Sequence, residues 1–363
     1  MAKKLSSDPV LFSVVAALLG LGLVMVWSAS TALAQETHGN PYYFLIKQLL
    51  WACLGLAAML LVMRVDYRQL RQPGLVYGAL LVTSLLLIVV LFLAPVNETR
   101  RWIRLGPLSF QPAELAKYSL VLYLAYHLER RGERLQELWT SLFPPFLVLG
   151  WFAFLIYVQP DLGSAATLAL ITAVMLFLAG LQLRWFAALG LLAAPLLYRA
   201  IMAAGYRRGR LLAFFDPWAD PLGTGYQIIQ SLTAVGLGGL TGVGLMEGRQ
   251  KLFYLPYPYS DFVFAVLGEE LGMVGALAVA AAFLVFLWRG LRAAWKAPDR
   301  FGLYLAAGVT LTIVLQAYIN MSVVLGLLPT KGIPLPFISA GGSSLLLTLT
   351  GVGLVLSVSQ HAD

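Results

Sequence analysis

Asp261 is the first residue whose setting suggests chemistry. It stands in Ser260-Asp261-Phe262, where a polar, aromatic-rich stretch gives way to a long apolar run, and Arg249 and Lys251 lie close upstream. A carboxylate at such an edge, beside cations, suits a general base. The alternative is a helix N-cap, a role Asp also fills well, although Ser260 would cap equally. Deeper in the same run come Glu269 and Glu270, of which at least one must face an interior, in a structural pair.

Other ionisable residues recur in short, unusual segments. Arg100-Arg101-Trp102-Ile103-Arg104 precedes Gln111-Pro112-Ala113-Glu114, and Lys117 falls on the same helical face as Glu114. Arg101 and Trp102 suit a phosphate clamp and a sugar-stacking surface, or a plain interfacial anchor. Glu114 and Lys117 suit a polar cavity, or an ion pair that pins two helices. Asp161, in Gln159-Pro160-Asp161-Leu162-Gly163, reads as a turn former or N-cap, with a ligand role as the alternative. Asp216 and Asp220 mark Asp-Pro turns in the same way. Arg208 and Arg210 add cations, and Lys331 stands in Leu328-Pro329-Thr330-Lys331-Gly332, ahead of Ser343.

The elements that must position these groups are membrane helices. Of 363 residues, 60% are hydrophobic and 12% charged, about half the charge of a soluble domain. A bilayer asks for roughly 20 apolar residues per helix. Apolar runs lie near 10–34, 45–63, 74–95, 111–127, 140–158, 164–183, 185–204, 262–288, 303–327 and 344–358. Each predicts a helix, because lipid requires backbone groups to be satisfied internally. The expected fold is all-α: one integral membrane domain over 1–363, with about ten transmembrane helices and a large loop, 205–260, between spans seven and eight. The first run follows Lys3 and Lys4 and is too long for a signal-peptide core.

Lys and Arg in short loops set orientation. With a cytoplasmic N-terminus, the inner loops hold Arg64, Arg68 and Arg71; Arg130, Arg131 and Arg134; Arg184; and Arg289, Arg292, Lys296 and Arg300. Both termini are then cytoplasmic. The outer segments nonetheless carry Arg101, Arg104, Arg208, Arg210, Arg249, Lys251 and Lys331. Those charges oppose the topology rule and imply an anionic ligand on the outer face, with anionic lipid headgroups as the alternative. The net charge of +8 does not point to nucleic acid, since the aromatics sit in apolar runs. The single cysteine, Cys53, excludes an internal disulfide, and the three histidines show no zinc spacing. Residues 328–343 pack Pro and Gly into an apolar stretch, which predicts a buried, non-helical re-entrant loop closing the outer site.

These segments, in this order from about Tyr42 to Gly353, resemble the SEDS family (shape, elongation, division and sporulation), closest to its FtsW branch and next to RodA. The resemblance implies ten spans in the bacterial cytoplasmic (inner) membrane. It implies a peptidoglycan glycosyltransferase that polymerises lipid II, a disaccharide-peptide on undecaprenyl pyrophosphate, for cell division or elongation. The family's essential aspartate maps onto Asp261, its Arg-Trp-Ile motif onto Trp102, and its Gln-Pro-Ser-Glu motif onto Gln111–Glu114. A class B penicillin-binding protein and other division or elongation proteins are the implied partners. Tyr257, Tyr259 and Ser260 depart from the usual Glu, His and Thr, so Asp261 is the one carboxylate of that stretch.

Transfer from pyrophosphate, a good leaving group, needs a base for the acceptor hydroxyl and cations for the departing charge. Asp261 fits the first, and Arg101, Arg208, Arg210, Arg249, Lys251 and Lys331 are candidates for the second. A divalent cation such as Mg or Mn would serve the same end, although the sequence assures no ligands for it. The competing function is a flippase for the lipid-linked precursor, which calls for a polar path near the midplane. A scaffold that recruits a partner would need no Asp/Arg constellation.

Overall fold

The structure is a computed structural model and describes residues 7–95, 99–106, 108–131 and 137–361. Lys3, Lys4 and Arg134, which entered the orientation argument, lie outside the described residues. The helices are α1 (Pro9–His38), α2 (Tyr43–Arg64), α3 (Pro73–Val89), α4 (Pro112–Arg131), α5 (Phe143–Val158), α6 (Leu162–Leu178), α7 (Leu183–Met202), α8 (Gly205–Phe215), α9 (Tyr226–Gly238), α10 (Val263–Trp295), α11 (Arg300–Val324) and α12 (Gly342–Ser359). A two-stranded hairpin, β1 (Ile103–Leu105) with β2 (Leu108–Phe110), leads into α4.

All ten apolar runs are helical. Among the described residues, eight helices are long and apolar enough to cross a membrane. Two more, α4 with its Glu114 and Lys117 and the shorter α6, pack among them. The reasons for the starts are local. Pro occupies the first turn of α1, α3 and α5, where its missing N–H costs nothing. Asp8, Asp161 and Asp299 cap α1, α6 and α11 through their side chains.

α11 and α12 form the centre, each with most of its apolar window buried. α12 lies against α2 so closely that a Cβ at Gly353 would sit 2.6 Å from the Met59 carbonyl oxygen. α7 is the opposite case, with no buried residue.

The stretch 205–260 is ordered, as expected of a loop rich in Gly, Pro and aromatics, and it contains α8 and α9, which hydrophobic runs did not reveal. It folds back on α10. That helix is interrupted at Gly272, whose φ of 66° and ψ of −166° are not helical. The loop satisfies the freed groups: Val243 and Gly244 donate to the Glu269 and Glu270 carbonyls, and Met273 and Val274 donate to those of Gly239 and Leu240.

Candidate functional site

One end of the bundle gathers four helix N-termini: α4, α6, α10 and α12. The Gln111 N–H, just before α4, donates to Ser343 Oγ in the first turn of α12 at 3.1 Å. The start of α6 receives the stem of Lys331, which lies over Gly163 so closely that any Cβ there would overlap it. Asp261 immediately precedes α10. Helix N-termini present unpaired N–H groups and partial positive charge, a setting for anions.

The segment 326–341 fills the space between these ends. It is non-helical, and Ile333, Leu335, Phe337, Ile338 and Ser339 are buried. Its backbone is held from two helices, α2 and α11. Gln48 of α2 donates to the Ser339 carbonyl at 3.0 Å. Gln316 and Asn320 of α11 donate to the Pro334 and Ile333 carbonyls at 2.9 and 2.7 Å. From α4, Lys117 reaches both Glu114, at 2.8 Å, and the Gln316 amide oxygen. Phe337 adopts φ of 67°, a left-handed conformation costing on the order of 1–3 kcal/mol for a residue with a side chain. Its ring packs between Phe283 and Phe286, with centroids 6.3 and 5.9 Å away.

Asp261 faces this segment. Its carboxylate lies against Gly332, where a Cβ would collide with it. Among the described residues the carboxylate has no hydrogen-bond partner. Burial pushes it up to about 6, against the opposing pull of Arg210. Lys331, one residue before Gly332, donates to Thr167 Oγ1 at 3.3 Å. Burial brings its ammonium down to about 8, while Asp161 pulls the other way. The base is thus desolvated against Gly332, and the neighbouring Lys331 turns its desolvated ammonium toward the start of α6.

The sequence-predicted residues divide into three groups. Asp261 lies within electrostatic reach of Arg210, and Lys331, next to Gly332, extends its side chain to the start of α6. Arg101, Asp161, Glu114, Lys117 and Ser343 build the walls. Arg101 donates to the carbonyls of Gln159 and Pro160, and Asp161 accepts from the Ser164 backbone and hydroxyl at 3.0 and 2.7 Å, as an N-cap. Glu114 and Lys117 form a buried ion pair at 2.8 Å. Trp102 is half-buried in the approach to β1.

The third group lies elsewhere, and Lys251 is a correction. Its Nζ is buried 2.6 Å from Glu270 and 2.8 Å from Ser28 Oγ of α1. It neutralises Glu270 inside the bundle instead of facing a ligand. Glu269 accepts from the Arg249 and Gln250 backbone N–H groups. The side chains of Arg208 and Arg249 are exposed and make no hydrogen bond or ion pair among the described residues.

Sequence reading missed Gln316, Asn320, Ser339 and Thr167. A signal existed for two of them: Gln316 and Asn320 are amides one helical turn apart within an otherwise apolar run, and polar groups there demand partners. For a divalent cation, no group of three His, Cys, Asp or Glu among the described residues is placed to hold one.

Comparison with known proteins follows the same lines. Residues 9–363 match the family model described as "Cell cycle protein", which joins FtsW, RodA and SpoVE. The probable peptidoglycan glycosyltransferase FtsW of Geobacter metallireducens is 44% identical over 358 residues, 98% of this chain and 95% of the relative. Stage V sporulation protein E of Bacillus subtilis is 42% identical, with 99% of each chain covered. A chain in a solved peptidoglycan synthase complex that coordinates polymerization and crosslinking superposes with a TM-score of 0.79 at 34% identity, covering 98% of both chains. The rod shape determining protein RodA of Thermus thermophilus gives 0.72 at 31%, covering 98% of this chain and 97% of that one.

Proposed function

From the premise that this chain belongs to the SEDS family of cell cycle proteins, FtsW, RodA and SpoVE, we propose that it polymerises lipid II into glycan strands with Asp261 as general base. The enzyme is a peptidoglycan glycosyltransferase, as its relatives are named. Asp261 removes the proton from the GlcNAc 4-hydroxyl of incoming lipid II. That oxygen bonds to the anomeric carbon of the growing strand's terminal MurNAc as the bond from that carbon to pyrophosphate breaks, with inversion. The departing oxygen keeps the electron pair, and its charge is held by Lys331, Arg101 and Arg210 beside the converging helix N-termini. No step runs through a metal ion, for which the described residues offer no assembled ligand set.

The observation that carries this reading is the Asp261 carboxylate: unpartnered among the described residues, set against Gly332, raised to about 6 and within electrostatic reach of Arg210. A base poised near the working pH transfers protons most effectively. The flippase alternative draws support from the break in α10, since interrupted helices line transporter sites. At that break, however, the 239–244 backbone and the Lys251–Glu270 pair already engage the freed groups.

The rest of the assignment accompanies this chemistry. The chain spans the inner membrane ten times with both termini in the cytoplasm. Segments 205–260 and 328–343 lie on the outer face, the second as a re-entrant loop. A class B penicillin-binding protein is the partner, in keeping with the synthase complex that this fold matches.

The test is polymerisation of labelled lipid II by purified protein, alone and with its penicillin-binding partner, against Asp261→Asn. Long glycan from the wild type and a loss of about 10²–10⁴-fold in the variant are expected. Full activity in Asp261→Asn would sink the base assignment. Lipid II crossing liposomes without glycan formation would favour the flippase.

A further inference from the structure

The Asp261 carboxylate has no hydrogen-bond partner among the described residues, so its own backbone must fix its direction. That backbone is clasped from one side. Asn320, on α11, is 1% exposed, and its single amide nitrogen donates to two carbonyls: Asp261, at 2.8 Å, and Ile333, at 2.7 Å. These two carbonyls flank the contact between the Asp261 carboxylate and Gly332. Ser339 makes the matching connection. Its hydroxyl donates to the Ser260 carbonyl and accepts from the Leu335 N–H at 2.7 Å, and the next residue, Ala340, donates its N–H to the Tyr259 carbonyl at 2.9 Å. Ser339 and Ala340 thus bond Ser260 and Tyr259 directly, and Asn320 bridges Asp261 to Ile333.

We infer that Asn320, together with Ser339, is a positioning residue that sets the Asp261 carboxylate against Gly332. The chemistry of the side chain is specific. Two buried carbonyls need two protons from one place, which a primary amide supplies and a carboxylate or a single hydroxyl does not. The amide orientation is fixed by this demand: Asn320 Oδ1 is buried without a partner, and exchanging oxygen and nitrogen would set an oxygen against two carbonyls. One turn earlier on α11, Gln316 donates to Pro334 while accepting from Lys117. α11 thereby connects the Glu114–Lys117 pair to the same segment that cradles the base.

The inference rests on Asp261 being the base, and its test separates the two ideas. The full chain with its penicillin-binding partner, in lipid nanodiscs, is assayed on labelled lipid II across pH for Asn320→Ala and Ser339→Ala. A displaced base costs turnover, with on the order of a hundredfold for 1 Å. The turnover number is therefore expected to fall at least about tenfold while KM for lipid II stays within about twofold. The acid limb moves to lower pH, because a carboxylate released from Gly332 gains water, with Arg210 and Tyr259 the charged and titratable groups in electrostatic reach of it. Amide hydrogen exchange over 259–261 and 333–340 rises in both variants. A merely structural role would lower the amount of folded enzyme and leave the acid limb in place, and that result overturns the inference. Unchanged exchange in either folded variant also overturns it. Should Asn320→Ala not fold, Ser339→Ala gives the same readings. If Asp261→Asn polymerises at the wild-type rate, the base assignment fails, while the exchange measurement still decides whether the clasp exists.

Discussion

At the scale of single residues, two shifted groups define a working range. On the proposed mechanism Asp261 acts as a base only when ionised, so the rate is expected to rise as pH climbs through about 6. On the same proposal Lys331 holds pyrophosphate only when protonated, so the rate is expected to fall as pH climbs through about 8. Initial rates of lipid II polymerisation between pH 5 and pH 9.5 should trace a bell with those limbs. Lys331→Gln should remove the alkaline limb and lower turnover by roughly 10²-fold, the loss typical of one preorganised charge-stabilising donor. A retained alkaline limb would assign it to another group. The position of Asp261 at the edge of an apolar run was legible in the sequence, with a base and a helix N-cap as its two readings. Asn320 was not, because a single amide in a helix does not disclose which carbonyls it meets. Lys251 misled for a related reason: in sequence it stands beside Arg249 and upstream of Asp261, and only the fold turns it inward to Glu270.

At the scale of elements, that inward turn depends on the break in α10. Gly272 opens the helix, and the 239–244 backbone fills the gap so closely that a Cβ at Gly242 would overlap the Glu270 carbonyl oxygen. Lys251 then closes the junction, bonding Glu270, Ser28 and the Met246 carbonyl within 2.6–2.8 Å. The loop that ends at Asp261 is therefore tied to α1 and α10 before it reaches the site. Breaking a buried pair by removing one partner costs about 3–5 kcal/mol, because the other charge is left uncompensated. Lys251→Met should accordingly lower the melting temperature of the purified protein sharply, and adding Glu270→Gln should recover most of the loss. A single variant as stable as wild type would show that the pair does not hold the junction. An interior pair at Glu269 or Glu270 was readable beforehand, but neither its partner Lys251 nor the break in α10 was. Hydropathy places the helix over 262–288 without registering a break, because Gly272 is as apolar as its neighbours. α8, α9 and the β1–β2 hairpin escaped for a similar reason, since their short segments carry no run that periodicity can detect.

At the scale of the whole molecule, alternating passage of helices explains why distant motifs meet. α4, α6, α10 and α12 all begin at the end where Asp261, Lys331 and Arg101 lie, so residues from 101 to 343 share one face. The succession of apolar runs pointed to this, because successive helices reverse the chain and the motifs fall at alternate connections. Orientation is a separate matter, and there the charges conflict: basic loops mark one face as cytoplasmic, while further basic residues crowd the other. An enzyme resolves the conflict if outer cations hold pyrophosphate and inner cations set topology. Labelling can decide it, because the chain has a single cysteine, Cys53, which is exposed on α2. In a Cys53→Ser background, Asp220→Cys should react with a membrane-impermeant maleimide in intact cells. Arg131→Cys, at the end of α4, should react only after permeabilisation. The reverse pattern would put Asp261 on the cytoplasmic side. The basic residues around Asp261 would then obey the topology rule, and their number would cease to argue for an anionic substrate.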